Sequence, residues 1–271
     1  MINRKEISLL IVERLTKEKE TLKEKFLESK NEIGFFYIDN LLPNELVLTI
    51  HKIFPELHET KERKSLREHK YTAYQMNRYN PLLEEVIYAF QEENVVKAVS
   101  EICQIENMLP DENLYAGGLS LMAKDNYLSP HLDNSHDKDR DRWRVLNLLF
   151  YVTPNWKLEN GGNLEVWPNG LKEKQITIES KFNRLVVMTT HQKSWHSVSK
   201  VDVETIRCCI SNYYFSNTPL LVSDLFHVTT FRGRPDQKAK DIILQIDNYV
   251  RNGLRQIFNK GIRENPHRYK K

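Results

Sequence analysis

From about Leu114 onward the apolar residues stop recurring at helical spacing, and short apolar or alternating runs separated by turn residues take over. These runs fall near 115–123, 127–133, 144–152, 163–167, 174–179, 183–190, 196–200 and 206–216. The intervals between them, such as Pro154-Asn155, Asn160-Gly161-Gly162 and Pro168-Asn169-Gly170, leave no room for crossover helices. A parallel α/β sheet requires such helices. Short strands joined by tight turns instead predict a mainly β core of the double-sheet jelly-roll kind, a double-stranded β-helix.

The flanks read as helical additions. Ile7, Leu10, Ile11, Leu15, Leu22 and Phe26 recur at helical spacing through a Lys- and Glu-rich stretch, predicting one amphipathic leading helix from about 5 to 30. Asn31 to Gly34 break it, Phe35-Phe36-Tyr37-Ile38 reads as a short strand, and Pro43 opens a helix to about Ile53. The charged stretch 58–70 reads as a surface loop, and segments near 82–91 and 94–104 as helices with buried faces. After Phe215 a stripe of Ile242, Ile243, Ile246, Val250, Leu254 and Ile257 predicts a helix packed on the core, before a basic tail from Asn265 to Lys271. The expected organisation is one domain over 1–271: a helical N-terminal part (1–113), a jelly-roll core (114–216) and a C-terminal helical extension (217–271), with both sets of helices packed on the core.

Composition narrows the class. Hydrophobic residues make up 40% and charged residues 28%, the usual globular mix rather than a disordered or membrane-embedded one. No apolar run approaches the roughly 20 residues that span a bilayer, and the N-terminus lacks the pattern of a secretion signal. With 40 basic against 37 acidic residues there is no broad electrostatic case for nucleic acid or an anionic membrane. Cys208 and Cys209 are adjacent and face opposite sides of a strand, so with Cys103 they form no disulfide framework and suit a reducing cytoplasm. The expected partner is a small-molecule or peptide substrate; the oligomeric state is not encoded in any feature of the sequence.

The chemistry concentrates in His131-Leu132-Asp133, His196 and Arg207. Residues two apart on a strand face the same way, so His131 and Asp133 can reach one ion while Leu132 packs behind. His196 opens a later strand, Trp195-His196-Ser197-Val198, and completes two imidazoles and a carboxylate, the ligand set of non-haem Fe(II) oxygenases. His191 is the rival third ligand, but it precedes the polar turn Gln192-Lys193-Ser194. His136 sits in a charged loop with no period-two partner, and zinc is a chemical alternative for the same three ligands. Arg207 begins an alternating strand whose parity groups Arg207, Cys209, Ser211 and Tyr213 on one face. An inward arginine needs an anion, either a structural carboxylate or a bound one.

In this order the elements resemble the Fe(II)- and 2-oxoglutarate-dependent oxygenases, in their prolyl 4-hydroxylase-like branch. The matching text runs from FFYIDNLLP through SPHLDNSHD, NLLFYVTPNW, ENGGNLEVWPNG and FNRLVVMTTHQKSWHSV to RCCISNYYF. The resemblance implies His131, Asp133 and His196 as iron ligands, Arg207 as the anchor of the distal 2-oxoglutarate carboxylate, and Tyr151 as a hydroxyl donor to that carboxylate, against the plain alternative of a core tyrosine. Asn147 shares a face with Tyr151 and Leu149 and should line the pocket nearer the metal end; Asn147 and Ser211, the latter on the face of Arg207, are further candidate cofactor-binding residues. Tyr127, four residues before His131, departs from the family's upstream tyrosine. Asn134, Arg144, Trp195 and Tyr213 are candidate substrate contacts. The implied cofactors are Fe(II), 2-oxoglutarate and O2. The implied reaction is hydroxylation of an unactivated C–H bond of an amino acid, a peptide or protein residue or another metabolite, with release of succinate and CO2. The carboxylate of Asp133 argues against halogenation, since halogenating relatives lack it. A non-catalytic jelly-roll binding module and a zinc-dependent hydrolase are the competing classes; an intact quartet argues against the first, and the lack of a use for Arg207 against the second.

Overall fold

The structure, a computed structural model, describes residues 2–257 and Tyr269. In chain order its helices and strands are α1 (Arg4–Lys17), α2 (Lys19–Ile33), β1 (Phe35–Asp39), α3 (Asn44–Lys52), β2 (Lys61–Lys64), β3 (Glu68–Ala73), α4 (Pro81–Ala89), α5 (Glu93–Cys103), β4 (Leu109–Pro110), β5 (Gly118–Met122), β6 (Tyr127–Leu132), β7 (Trp143–Tyr151), β8 (Leu164–Val166), β9 (Ile176–Ile178), β10 (Arg184–Thr189), β11 (His196–Val198), β12 (Arg207–Ser216), β13 (Thr230–Phe231) and α6 (Lys238–Ile257). The strands join in one curled sheet in the order β1-β10-β7-β12-β5-β3-β6-β11-β8-β9, every pairing antiparallel. This is the jelly-roll core expected from the strand pattern, and each expected core strand lies where the alternation placed it, within a few residues.

Side-chain parity separates two interiors. On β7, Leu146, Leu148 and Phe150 join Ile210 and Tyr214 of β12 in the main hydrophobic cluster, together with Ile7, Ile11 and Leu15 of α1 and Leu83 and Val99 of α4 and α5. The alternate residues Tyr151 and Cys209 join Val166, Ile178, Val186 and Met188 between the two halves of the curl. Both faces of β7 and β12 are therefore covered, and the sheet can carry polar groups on its inner face only where a cavity receives them. Cys208 and Cys209 point to opposite faces and, like Cys103, are buried free thiols.

Three expectations change. The leading helix is two helices broken at Glu18, with Asn3 closing a capping box on Glu6 at the start of the first. The charged stretch 58–70 is not a loop: β2 and β3 form a hairpin, and β3 bridges the two halves of the curl by pairing with both β5 and β6. Its run of Lys and Glu masks an extended Tyr71-Thr72-Ala73 segment that is β-prone and half covered.

The largest change concerns α6. Ile242, Ile243, Ile246, Val250 and Leu254 are exposed, so the apolar stripe does not pack on the core. Polar contacts hold the helix instead. Asn248 exchanges two hydrogen bonds with the Phe231 backbone (3.0 and 2.6 Å), Asp241 takes the Arg232 guanidinium (2.7 Å), and Asp247 takes Arg67 and Arg251. Leu244 supplies the buried apolar contact, against Phe231 and Leu128. The side chain of Ile257 and the tail from Asn265, Tyr269 excepted, lie outside the described residues. None of the described helices is long and apolar enough to cross a membrane.

Candidate metal centre

β6 and β11 lie side by side with His131 opposite His196 in the register. The two imidazoles stand 4.1 Å apart, centroid to centroid. Asp133, one residue past the end of β6, places one carboxylate oxygen 3.7 Å from His131 Nε2 and the other 3.7 Å from His196 Nε2. The ligand atoms of all three lie within 4.8 Å of one another, and they are the one group of three or more such residues among those described that could hold a metal ion. Each ring nitrogen Nδ1 meets a carbonyl two residues upstream, Ser129 O at 3.0 Å and Ser194 O at 2.9 Å. That pairing makes Nδ1 the protonated nitrogen and leaves the Nε2 lone pairs free to face an ion.

The electrostatics agree with a metal site. Burial, reinforced by His196, pushes the His131 imidazole down to about 3, so the ring is neutral as a ligand must be. Burial works to raise the Asp133 carboxyl, but His196, His131 and Arg144 outweigh it and hold it below the ordinary carboxylate range. Asn147 Nδ2 donates to Asp133 at 3.4 Å, which orients the carboxylate from the floor of the cavity. Phe231 of β13, which pairs with β6, stacks on the other face of His131 at 5.3 Å. His136 and His191 are not in the ligand group: His136 Nδ1 is taken by the Asp137 carbonyl, and His191 Nδ1 accepts from Lys193 N.

A cavity runs inward from the triad between the two halves of the curl, lined by Asn147, Leu149, Tyr151, Arg207, Ser211 and Tyr213. Arg207 is 3% exposed, its Nε has no hydrogen-bond partner, and no ion pair reaches it among the described residues. The structural salt bridge is therefore not what accounts for this arginine. Its guanidinium lies 5.4 Å from the Tyr151 ring, and the Tyr151 hydroxyl is likewise buried and unpartnered. Two orphaned polar groups in one cavity mark a place for a ligand carrying an anion. The Gly-Gly turn makes room for this arrangement. Gly162 has φ +63°, and a Cβ there would sit 3.1 Å from Arg207 Cδ.

A second, outer cavity opens from the same triad and contains Asn134, Arg144 and Tyr213. Trp195, which precedes the start of β11, lies in neither cavity. Tyr127 is also outside, with its hydroxyl on the Ser65 carbonyl at 3.1 Å. The sequence reasoning missed Lys70 and Thr72 of β3, Tyr115, and Phe231. The alternation from Glu68 to Ala73 was the available signal for the first two; Phe231 had none, since a two-residue strand has no period.

Residues 117–215 match the model of the 2OG-Fe(II) oxygenase superfamily. The match takes in 99 of the 271 residues, His131, Asp133, Tyr151, His196 and Arg207 among them. The cofactors of that oxygenase family are Fe(II), 2-oxoglutarate and O2, and the His131, Asp133 and His196 donors fit the iron among them. No curated protein matches the chain. Among solved structures the chain is similar to a prolyl 4-hydroxylase of Pseudomonas putida, at 14% identity over 72% of this chain and 98% of that one, with a TM-score of 0.55. It is also similar to a prolyl hydroxylase of Trichoplax adhaerens in complex with a hypoxia inducible factor peptide fragment, at 20% identity over 74% of this chain and 92% of that one, TM-score 0.50. A non-heme alpha-ketoglutarate-dependent carbocyclase of nogalamycin biosynthesis aligns at 12% identity over 82% of this chain and 91% of that one, TM-score 0.55. At these identities the likeness is one of fold.

Proposed function

We propose that this protein is an Fe(II)- and 2-oxoglutarate-dependent dioxygenase that hydroxylates an unactivated C–H bond of an amino acid, a peptide or protein residue or another metabolite. One oxygen atom of O2 would enter the product alcohol and the other the succinate, with CO2 released. The observation that carries the reading is the pair of orphaned groups, Arg207 Nε and Tyr151 Oη, in the cavity that the triad closes.

In this reading His131, Asp133 and His196 would hold the iron, which together with 2-oxoglutarate and O2 would supply the oxidising chemistry. Arg207 and the Tyr151 hydroxyl hold the distal carboxylate of 2-oxoglutarate and fix the direction from which it enters. Ser211 lines the same wall, and Asn147 keeps the Asp133 carboxylate oriented. Leu149, Leu164 and Val198 keep the cavity wall apolar, which limits water beside the cosubstrate. The chain 1–271 acts as one domain, with 114–216 as its catalytic part and the flanking segments as cover. Three buried free thiols are in keeping with a reducing cytoplasm.

The test is the anaerobic addition of Fe(II) and then 2-oxoglutarate. Formation of the visible charge-transfer band of a chelated keto acid is expected, with loss of cosubstrate affinity in Arg207→Ala. Absence of the band, with an affinity indifferent to Arg207, would falsify the reading.

A further inference from the structure

The outer cavity, about 280 Å³, has a charged lining of Arg63, Arg67, Lys70, Arg144 and Arg251 against Glu68 and Asp133. Most of these cations are accounted for locally. Glu68 takes Lys70 at 3.0 Å and Arg63 at 3.9 Å, and Asp247 takes Arg67 and, at 2.9 Å, Arg251. Asp133 belongs to the metal triad.

Arg144 is the exception. It is 3% exposed, and no carboxylate forms an ion pair with it among the described residues. One Nη donates to the Tyr115 carbonyl at 3.2 Å, while Nε has no partner. Asp111, the other buried carboxylate that feels its charge, is pushed up to about 7 by burial, so it is a weak counter-charge near neutrality. The Tyr213 ring lies 3.9 Å from the guanidinium carbon and gives it a flat wall.

The backbone turns Arg144 into the cavity. Along β7 the odd positions Asn147, Leu149 and Tyr151 face inward, so an even position should face the helices. The pairing with β12 shifts, however: Tyr214 lies opposite Leu146, but Phe215 lies opposite Arg144, leaving Val145 as an extra residue. This bulge reverses the parity and brings Arg144 to the inner face.

A buried guanidinium with a free edge, in a cavity that shares His131 and Asp133 with the metal site, calls for an anion that no described residue supplies. The 2-oxoglutarate carboxylate is already matched by Arg207 in the inner cavity. We infer that the substrate is an acid whose carboxylate docks on Arg144 against the Tyr213 ring, holding a nearby C–H bond towards the iron. This rests on the dioxygenase reading for its reaction, but not for its charge. A free amino acid and the C-terminus or acidic side chain of a peptide present the same group.

The experiment uses the full chain with Fe(II) and saturating 2-oxoglutarate without O2, so that Arg207 is occupied. The probes are matched pairs, free amino acids against their primary amides and short peptide acids against peptide amides. Binding is read by calorimetry and by the change in the visible band. The carboxylate members should bind at least about tenfold more tightly than the amides. In Arg144→Gln that difference should collapse, and in Arg144→Lys it should partly return, with thermal unfolding confirming that both variants fold. Which pair type responds distinguishes the amino acid from the peptide. If no acid binds better than its amide, or if Arg144→Gln discriminates as the unaltered protein does, the inference is overturned. A missing band would count against the dioxygenase reading alone, because calorimetry still decides between acid and amide.

Discussion

His131 and His196 face each other across adjacent antiparallel strands, and each donates its ring Nδ1–H to the carbonyl two residues upstream in its own chain. The same local device, used twice, sets both Nε2 lone pairs towards Asp133. Neither ring depends on a distant side chain for its tautomer.

Removing one ring should therefore remove the site rather than loosen it. In His196→Ala the remaining His131 and Asp133 keep their positions, and Fe(II) affinity is expected to fall by more than the roughly 10–100-fold typical of losing a supporting hydrogen bond. Metal titration by calorimetry checks this, and Asn147→Leu, which removes only the support on Asp133, should fall within that smaller range.

Arg207 is buried, and no described carboxylate pairs with it. Arg207→Met should accordingly raise the stability of the ligand-free protein, by about 1–4 kcal/mol, while abolishing protection by the cosubstrate. In the unaltered protein 2-oxoglutarate at about 100 times its Kd should add about 2.7 kcal/mol. Urea denaturation with and without 2-oxoglutarate measures both, and a destabilised Arg207→Met would contradict the account.

Burial raises Asp111 to about 7, against the opposing charge of Arg144. Its folded pKa thus lies above the unfolded value near 3.8. The folded protein keeps a proton that the unfolded chain releases, so the stability from this group is complete below that value and is lost as pH rises towards about 7. Asp111→Asn should stabilise the protein by about 1–3 kcal/mol at pH 8 and by distinctly less near pH 5, read from denaturation midpoints.

The outward face of α6 gives a sharp contrast on one helix. Ile243→Glu combined with Ile246→Glu should change stability by less than about 0.5 kcal/mol, whereas Leu244→Ala should cost about 2–5 kcal/mol. Equal losses would mean that the stripe packs after all.

The contrast between β7 and α6 shows what the sequence makes legible. On β7 the alternation groups Asn147 and Leu149 with Tyr151, and the family resemblance that put Tyr151 in the pocket turned that face inward, where the cavity lies. The apolar stripe of α6 was just as regular, yet its meaning depended on Asp241, Asp247 and Asn248, whose partners Arg232, Arg67 and Phe231 lie outside the helix. Periodicity shows that a face exists; it does not show which way the face turns. Arg144 was singled out as a substrate contact, but parity alone would have turned it towards the helices, because one extra residue in β7 is visible only in the pairing. The charged hairpin β2–β3 was hidden for a simpler reason, since solvated Lys and Glu dominate a strand that lies at a cavity mouth.

The strand that carries Phe231 lies beyond the matched family segment, which ends at residue 215. A fragment cut to that boundary would retain His131, Asp133, His196, Tyr151 and Arg207, but β6 would lose its pairing with β13 and His131 the ring stacked on it. The surroundings of His131 thus extend beyond the matched segment, to an aromatic ring that the segment itself does not contain.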